Sequence, residues 1–188
     1  MALEHIQNQL QSGDILFTSI PNFLYRRVAA VTGSPTSHVG IAFFDPNVGW
    51  VVAESGVPTV RYTPIAKFIA RSDHGWLVVR RLQGGLTAAQ VTSLRQACDA
   101  HMGKLYHLGF HYASSRQFCS KFVYDTFLTA LGVKVGTLET FETLLKRQPN
   151  TPLWFWRLWF FGRIPWSRLT ITPASQLTAK CLETIWES

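Results

Sequence analysis

Acidic residues are scarce in this 188-residue chain: 11 Asp and Glu stand against 18 Lys and Arg, for a net charge of +7. That balance excludes an acidic tail and favours anionic partners: a nucleic acid, an acidic lipid surface or an acidic substrate. The basic residues are scattered, and no helix-turn-helix, zinc-finger or RNP-like pattern occurs, so no nucleic-acid partner is expected. Cysteine is equally sparse. Cys98, Cys119 and Cys181 are too few and too uneven for a disulfide framework, and they suit a reducing compartment. No apolar run approaches the roughly 20 residues needed to cross a bilayer. The amino-terminal Met-Ala-Leu-Glu-His-Ile-Gln lacks the basic start and long apolar stretch of a signal peptide. The expected location is cytoplasmic, with a peripheral place at the inner membrane surface as its variant.

Charged residues make up only 15% of the chain and hydrophobic ones 47%, which excludes disorder. The length suits one domain spanning 1–188 and long enough to bury a core. Gly13 to Thr18 reads as a turn and a short strand, and Phe23 to Val31 as a helix ended by Thr32-Gly33-Ser34-Pro35. Val39–Phe44 and Trp50–Glu54 form a hairpin around the five residues Asp45–Gly49. Thr63–Ala70, opened by Pro64, is predicted helical, Gly75–Leu82 a strand, and Thr87–His101 a helix that Thr87 caps. Two more helices follow, one opened by Cys119 and one over Leu138–Arg147. The class is α+β.

Three residues carry the chemistry. A lone cysteine inside an apolar helical face is usually a small buried hydrophobe, the reading kept for Cys98 and Cys181. Cys119 instead precedes its apolar run, Phe122-Val123-Tyr124, and so falls in the first turn of a helix. The unpaired N–H groups and partial positive charge there stabilise a thiolate, the nucleophilic form of cysteine. Pairing Phe44 with Trp50 sets Gly40 opposite Glu54, with His38 one diagonal step away on the same face. A slip of one residue would separate them. A glutamate in an apolar strand needs a partner, and a carboxylate beside His38 would orient the imidazole as the third member of a triad. His107 and His111 stand four apart, but no further Cys or His pair completes a tetrahedral set, so no metal is expected.

The segments Gly13-Asp14-Ile15-Leu16-Phe17, Ser37-His38-Val39-Gly40-Ile41, Val52-Ala53-Glu54-Ser55 and Phe118-Cys119-Ser120-Lys121-Phe122-Val123 resemble the YiiX/YaeF group. These are circularly permuted papain-like hydrolases of the NlpC superfamily, related to lecithin-retinol acyltransferase. Lys104-Leu105-Tyr106-His107 and Ile164-Pro165-Trp166 extend the similarity to nearly the whole chain. The resemblance implies Cys119 as nucleophile, His38 as base and Glu54 as orienting acid. It also implies a small antiparallel, partly barrel-like sheet with the cysteine helix packed against it. Relatives often carry a tyrosine two residues before the histidine; this chain has Thr36 there, leaving Thr36 and the Cys119 backbone N–H as the expected oxyanion donors.

Residues 146–168 form an aromatic segment with five basic residues, Lys146, Arg147, Arg157, Arg163 and Arg168, and no acidic one. Trp154, Trp156, Trp159 and Arg157 are the candidate contacts to lipid or to an anionic membrane surface; the competing reading is a core edge or pocket wall. The expected activity is a cysteine-dependent acyl hydrolase or acyltransferase acting on an amide or ester, without metal or organic cofactor. A lipid or acylated small molecule is the expected substrate. A cell-wall-type peptide amidase and a non-catalytic lipid-binding module are the alternatives, and the oligomeric state is left open.

Overall fold

Strand β1 (Ile15–Thr18) is buried along its whole length, because it lies inside a sheet that is covered on both faces. The computed structural model describes residues 2–149 and 151–188. Strands β2 (His38–Asp45), β3 (Gly49–Ser55), β4 (Val60–Pro64), β5 (Leu77–Leu82) and β8 (Leu182–Glu187) join β1 in the order β4-β3-β2-β1-β5-β8. Every neighbouring pair is antiparallel. β6 (Glu139–Thr140) and β7 (Leu169–Thr170) make a separate two-stranded ladder.

Alternation along the strands divides the core. Ile15, Phe17, Val39, Ile41 and Phe43 pack with Phe122, Val123 and Phe127 of helix α5 (Cys119–Leu131). The intervening Leu16, Ala42 and Val52 pack with Ile6 and Leu10, at and just past α1 (Ala2–Gln7), and with Ile65 and Phe68 of α3 (Ile65–Ala70). This is the period-two pattern of strands. A third cluster joins Val31 of α2 (Phe23–Thr32) to Phe141 and Leu144 of α6 (Phe141–Arg147) and to Phe155 and Trp156 of α7 (Leu153–Trp159). α4 (Ala88–Asp99) lies along α5, and α8 (Pro173–Leu177) stands near the carboxyl terminus.

Local signals explain most boundaries. Asn22 caps α2 by accepting from the Leu24 N–H, and Gly33 ends it in the left-handed conformation, its N–H reaching the Ala29 and Ala30 carbonyls. Thr87 and Gln90 form the reciprocal capping box that opens α4. Asp14, fully buried, is held by Arg81 at 2.7 and 2.9 Å. Several boundaries differ from the sequence reading by one or two residues, β5 starting at Leu77 and α4 ending at Asp99, and two differ for a clear physical reason. Thr63 and Pro64 belong to edge strand β4, where a proline that cannot donate is tolerated, so α3 begins only at Ile65. Glu139 and Thr140 pair with β7, and Thr140 caps α6 by accepting from the Thr143 N–H, so that helix starts at Phe141 rather than Leu138.

Candidate active site

The β2–β3 register is the expected one, Phe44 facing Trp50 and pairing continuing to Ile41 opposite Ala53, but Asp45 also pairs with Gly49, so the turn is three residues, 46–48, rather than five. His38 and Glu54 therefore meet, with His38 Nε2 2.5 Å from Glu54 Oε2 and both side chains out of contact with solvent. A buried carboxylate needs more than one partner, and Glu54 has several. Thr63 Oγ1 donates to its Oε1 at 2.6 Å, and Arg71, just past the end of α3, donates to both oxygens at 2.9 and 2.7 Å. Arg61 stands 3.4 Å from Oε1. Burial is the largest influence on Glu54 and favours the neutral acid; His38 and then Arg71 outweigh it and hold the carboxyl well below the usual range.

The second ring nitrogen of His38, Nδ1, is buried without a hydrogen-bond partner. Cys119, at the first position of α5, is close enough to act on the imidazole. Burial acts most strongly on His38 and disfavours its charge. The interactions with Cys119 and with Glu54 more than offset this, pushing the pKa up to about 9 from its ordinary 6.5. The imidazole is thus held by the Glu54 carboxylate at Nε2, with Nδ1 unpaired and Cys119 acting on the ring. Phe118, the residue before the helix, supplies no side-chain cap, so the N–H groups of the first turn have no side chain across them.

Around Cys119 the sequence reading missed two tyrosines. Tyr25 of α2 stacks edge-on against His38, ring centroids 5.7 Å apart. Burial foremost, then Cys119 and Tyr25, raise the Tyr106 phenol well above its ordinary value; Tyr25 is raised as well, by burial and then by Cys119. Two neutral hydroxyl-bearing rings therefore line the same cavity as Cys119. Thr36 does not join them: its Oγ1 is buried and turned to the carbonyl of His38, 3.4 Å away. Tyr106 had a signal, since it lies in the quoted Lys104–His107 stretch. Tyr25 and Arg71 had none, being brought in by α2 and α3 from outside any motif.

Cys119 lines a narrow slot of about 30 Å3. Val28, Val31, Phe110, Leu144, Trp156 and Ile171 supply much of its wall. Of the candidate lipid contacts, Trp156 is buried against Phe141 and Phe160 and faces this slot, not solvent. Trp159 is half-buried and donates through Nε1 to the Leu108 carbonyl, whereas Trp154 and Arg157 are exposed. Cys98 is fully buried in the core between sheet and helices, and burial raises its thiol above the ordinary range, as expected of a structural cysteine.

A strand-borne histidine and glutamate that precede a helix-borne cysteine are the papain arrangement in permuted order. The model of the permuted papain-like amidase enzymes, YaeF/YiiX, C92 family, matches residues 9–186. The chain belongs to that family. Among YaeF/YiiX relatives, the uncharacterized protein YiiX of Escherichia coli K12 is 28% identical over 177 residues, 94% of this chain and 86% of the relative. The crystal structure of yiiX from Escherichia coli O157:H7, described as a metalloprotein, superposes with a TM-score of 0.85 at 28% identity. It covers 96% of this chain and 98% of its own. The fold is accordingly permuted papain-like, and YaeF/YiiX membership places the chain among cysteine hydrolases in general.

Proposed function

We propose that the protein is a cysteine-dependent acyl hydrolase or acyltransferase whose substrate carries an apolar acyl group on an amide or ester. The observation that carries this reading is the position of Cys119: at an uncapped helix start, beside the buried His38–Glu54 pair, and open to an apolar slot. The amidase description of the family favours an amide; the slot favours an acyl chain over a polar peptide.

In this mechanism His38 Nδ1 takes the Cys119 proton as the sulfur attacks the acyl carbonyl. Glu54 accepts from Nε2 and keeps the ring in register while it is cationic. The developing oxyanion is stabilised by first-turn N–H groups of α5 and by the Tyr106 hydroxyl, the donor that Thr36 does not supply. His38 returns its proton to the leaving amine or alcohol as the carbon–heteroatom bond breaks, which leaves an acyl thioester on Cys119. Water, or a second alcohol or amine, then attacks with His38 again as base, and the thiol is released. One relative is described as a metalloprotein. Among the described residues here no group of three or more His, Cys, Asp and Glu side chains is arranged to hold a metal ion, and Glu54 is committed to His38, Thr63 and Arg71. The residues do not fit a metal at this site, and no step is routed through one.

The test is a series of N-acyl amides and aryl esters of increasing chain length. Each added methylene that enters the slot should raise kcat/KM by about fourfold, the equivalent of ~0.8 kcal/mol, and the gain should stop after about one or two, which fill a slot of this size. Val28→Phe, which narrows it, should abolish the gain for longer chains and spare the acetyl substrate. Flat chain-length dependence would exclude an apolar acyl site. Binding of acyl compounds with no turnover in the parent chain would make the protein a binding module.

A further inference from the structure

The two helices that wall the slot present solvent-exposed apolar residues on their outer sides. On α7, Trp154 and Leu158 lie four apart and hence on one face, and Phe161 follows just beyond the helix. Their exposures are 56%, 72% and 99%, and Phe23 at the start of α2 is 59% exposed. Such large aromatic and aliphatic groups clustered on one surface mark an interaction site rather than scattered surface apolarity. Phe161 is also held in the left-handed backbone region (φ 53°), followed by Gly162 at φ 92°, a conformation that L side chains rarely adopt.

The charge around this face has one sign. Neither residues 22–32 nor residues 146–168 contain an aspartate or glutamate. Arg27 lies 5.0 Å from the Phe23 ring centroid and 5.5 Å from that of Trp154. Arg157 and Arg163 are exposed beside Leu158 and Phe161. Apolar side chains interleaved with guanidinium groups, with no carboxylate in either segment and the nearby Glu142 paired with Lys146, match the interfacial layer of an anionic bilayer. A nucleic acid would reward the arginines and leave Leu158 and Phe161 without a partner.

We propose that the outer face of α2 and α7 docks on an anionic membrane surface, Leu158, Phe161, Trp154 and Phe23 entering the interface while Arg27, Arg157 and Arg163 meet lipid phosphates. The same helices carry Val28, Val31 and Trp156 into the slot at Cys119, Trp156 from the side of α7 opposite Trp154 and Leu158. Docking there would bring the slot wall next to the lipid. The proposal does not depend on the catalytic reading, since binding is measured without turnover.

The test is co-sedimentation of the full chain with vesicles of phosphatidylcholine alone and of phosphatidylcholine mixed with phosphatidylglycerol. The expected result is binding to the mixed vesicles at least about tenfold tighter than to the neutral ones, weakened by salt. Leu158→Asp with Phe161→Asp should lose that binding, as should Arg157→Glu with Arg163→Glu. Both should retain the parental melting temperature and the parental turnover of a soluble acetyl substrate. If the aspartate pair fails to fold, the glutamate pair decides. No binding, equal binding to both vesicle types, or binding untouched by a folded pair overturns the proposal. A dimer in sedimentation equilibrium that the aspartate pair abolishes also overturns it, since the face would then be covered by a second copy.

Discussion

Glu54 is the residue where sequence and structure meet most directly. A carboxylate between Ala53 and Ser55 in an otherwise apolar strand demands a partner, and that demand alone leads to His38. Its other partners, Thr63 and Arg71, were not legible, because neighbouring elements deliver them and no spacing encodes them. The same holds for the hydroxyls near Cys119: the family resemblance pointed to Thr36 by position, whereas the structure turns Thr36 to a backbone carbonyl and places Tyr106 in the cavity that Cys119 lines. If Tyr106 stabilises the oxyanion, Tyr106→Phe should lower kcat by about 100-fold and leave KM nearly unchanged. Steady-state kinetics on an acyl amide decide this; an equal change in KM with kcat intact would reassign Tyr106 to substrate binding.

The β2–β3 hairpin does the positioning among the elements. Its register was readable because a short turn between two apolar runs leaves few pairings, and a slip of one would bury the wrong face. Strand β8 was not readable: it is an edge strand with an irregular exposure pattern and a bulge opposite Val79 and Arg80. Close approach of β2 and β3 depends on Gly40, where an added Cβ would lie 2.5 Å from Val52 Cγ1 and 2.9 Å from the Ala53 carbonyl oxygen. Backbone cannot retreat as a flexible side chain can. Gly40→Ala should therefore destabilise the fold by about 1–3 kcal/mol, read as a lower urea midpoint, and should reduce activity by moving Glu54 relative to His38. An unchanged midpoint would mean that the hairpin is looser than its packing implies.

At the scale of the whole molecule, three layers converge on one thiol. The sheet supplies His38 and Glu54, α5 supplies Cys119 at its start, and α2 with α7 closes an apolar slot over it. The first two were visible in the sequence, as strand alternation and as a cysteine ahead of an apolar helical face. The slot was not, because an aromatic run such as Trp154–Phe161 reads equally as core or as surface; the fold divides it between the two, Trp156 inward and Leu158 outward. The central claim is that this convergence makes Cys119 an acyl-accepting nucleophile driven by His38. Its most direct test is to mix the protein with an activated short-chain acyl ester, quench in acid, and locate the adduct by intact-mass and peptide mass spectrometry. The account predicts one acyl group, on the Cys119 peptide alone, absent from Cys119→Ala and formed about 100-fold or more slowly in His38→Ala. Acylation at Cys98 or Cys181, or at Cys119 with equal speed in the absence of His38, would contradict it.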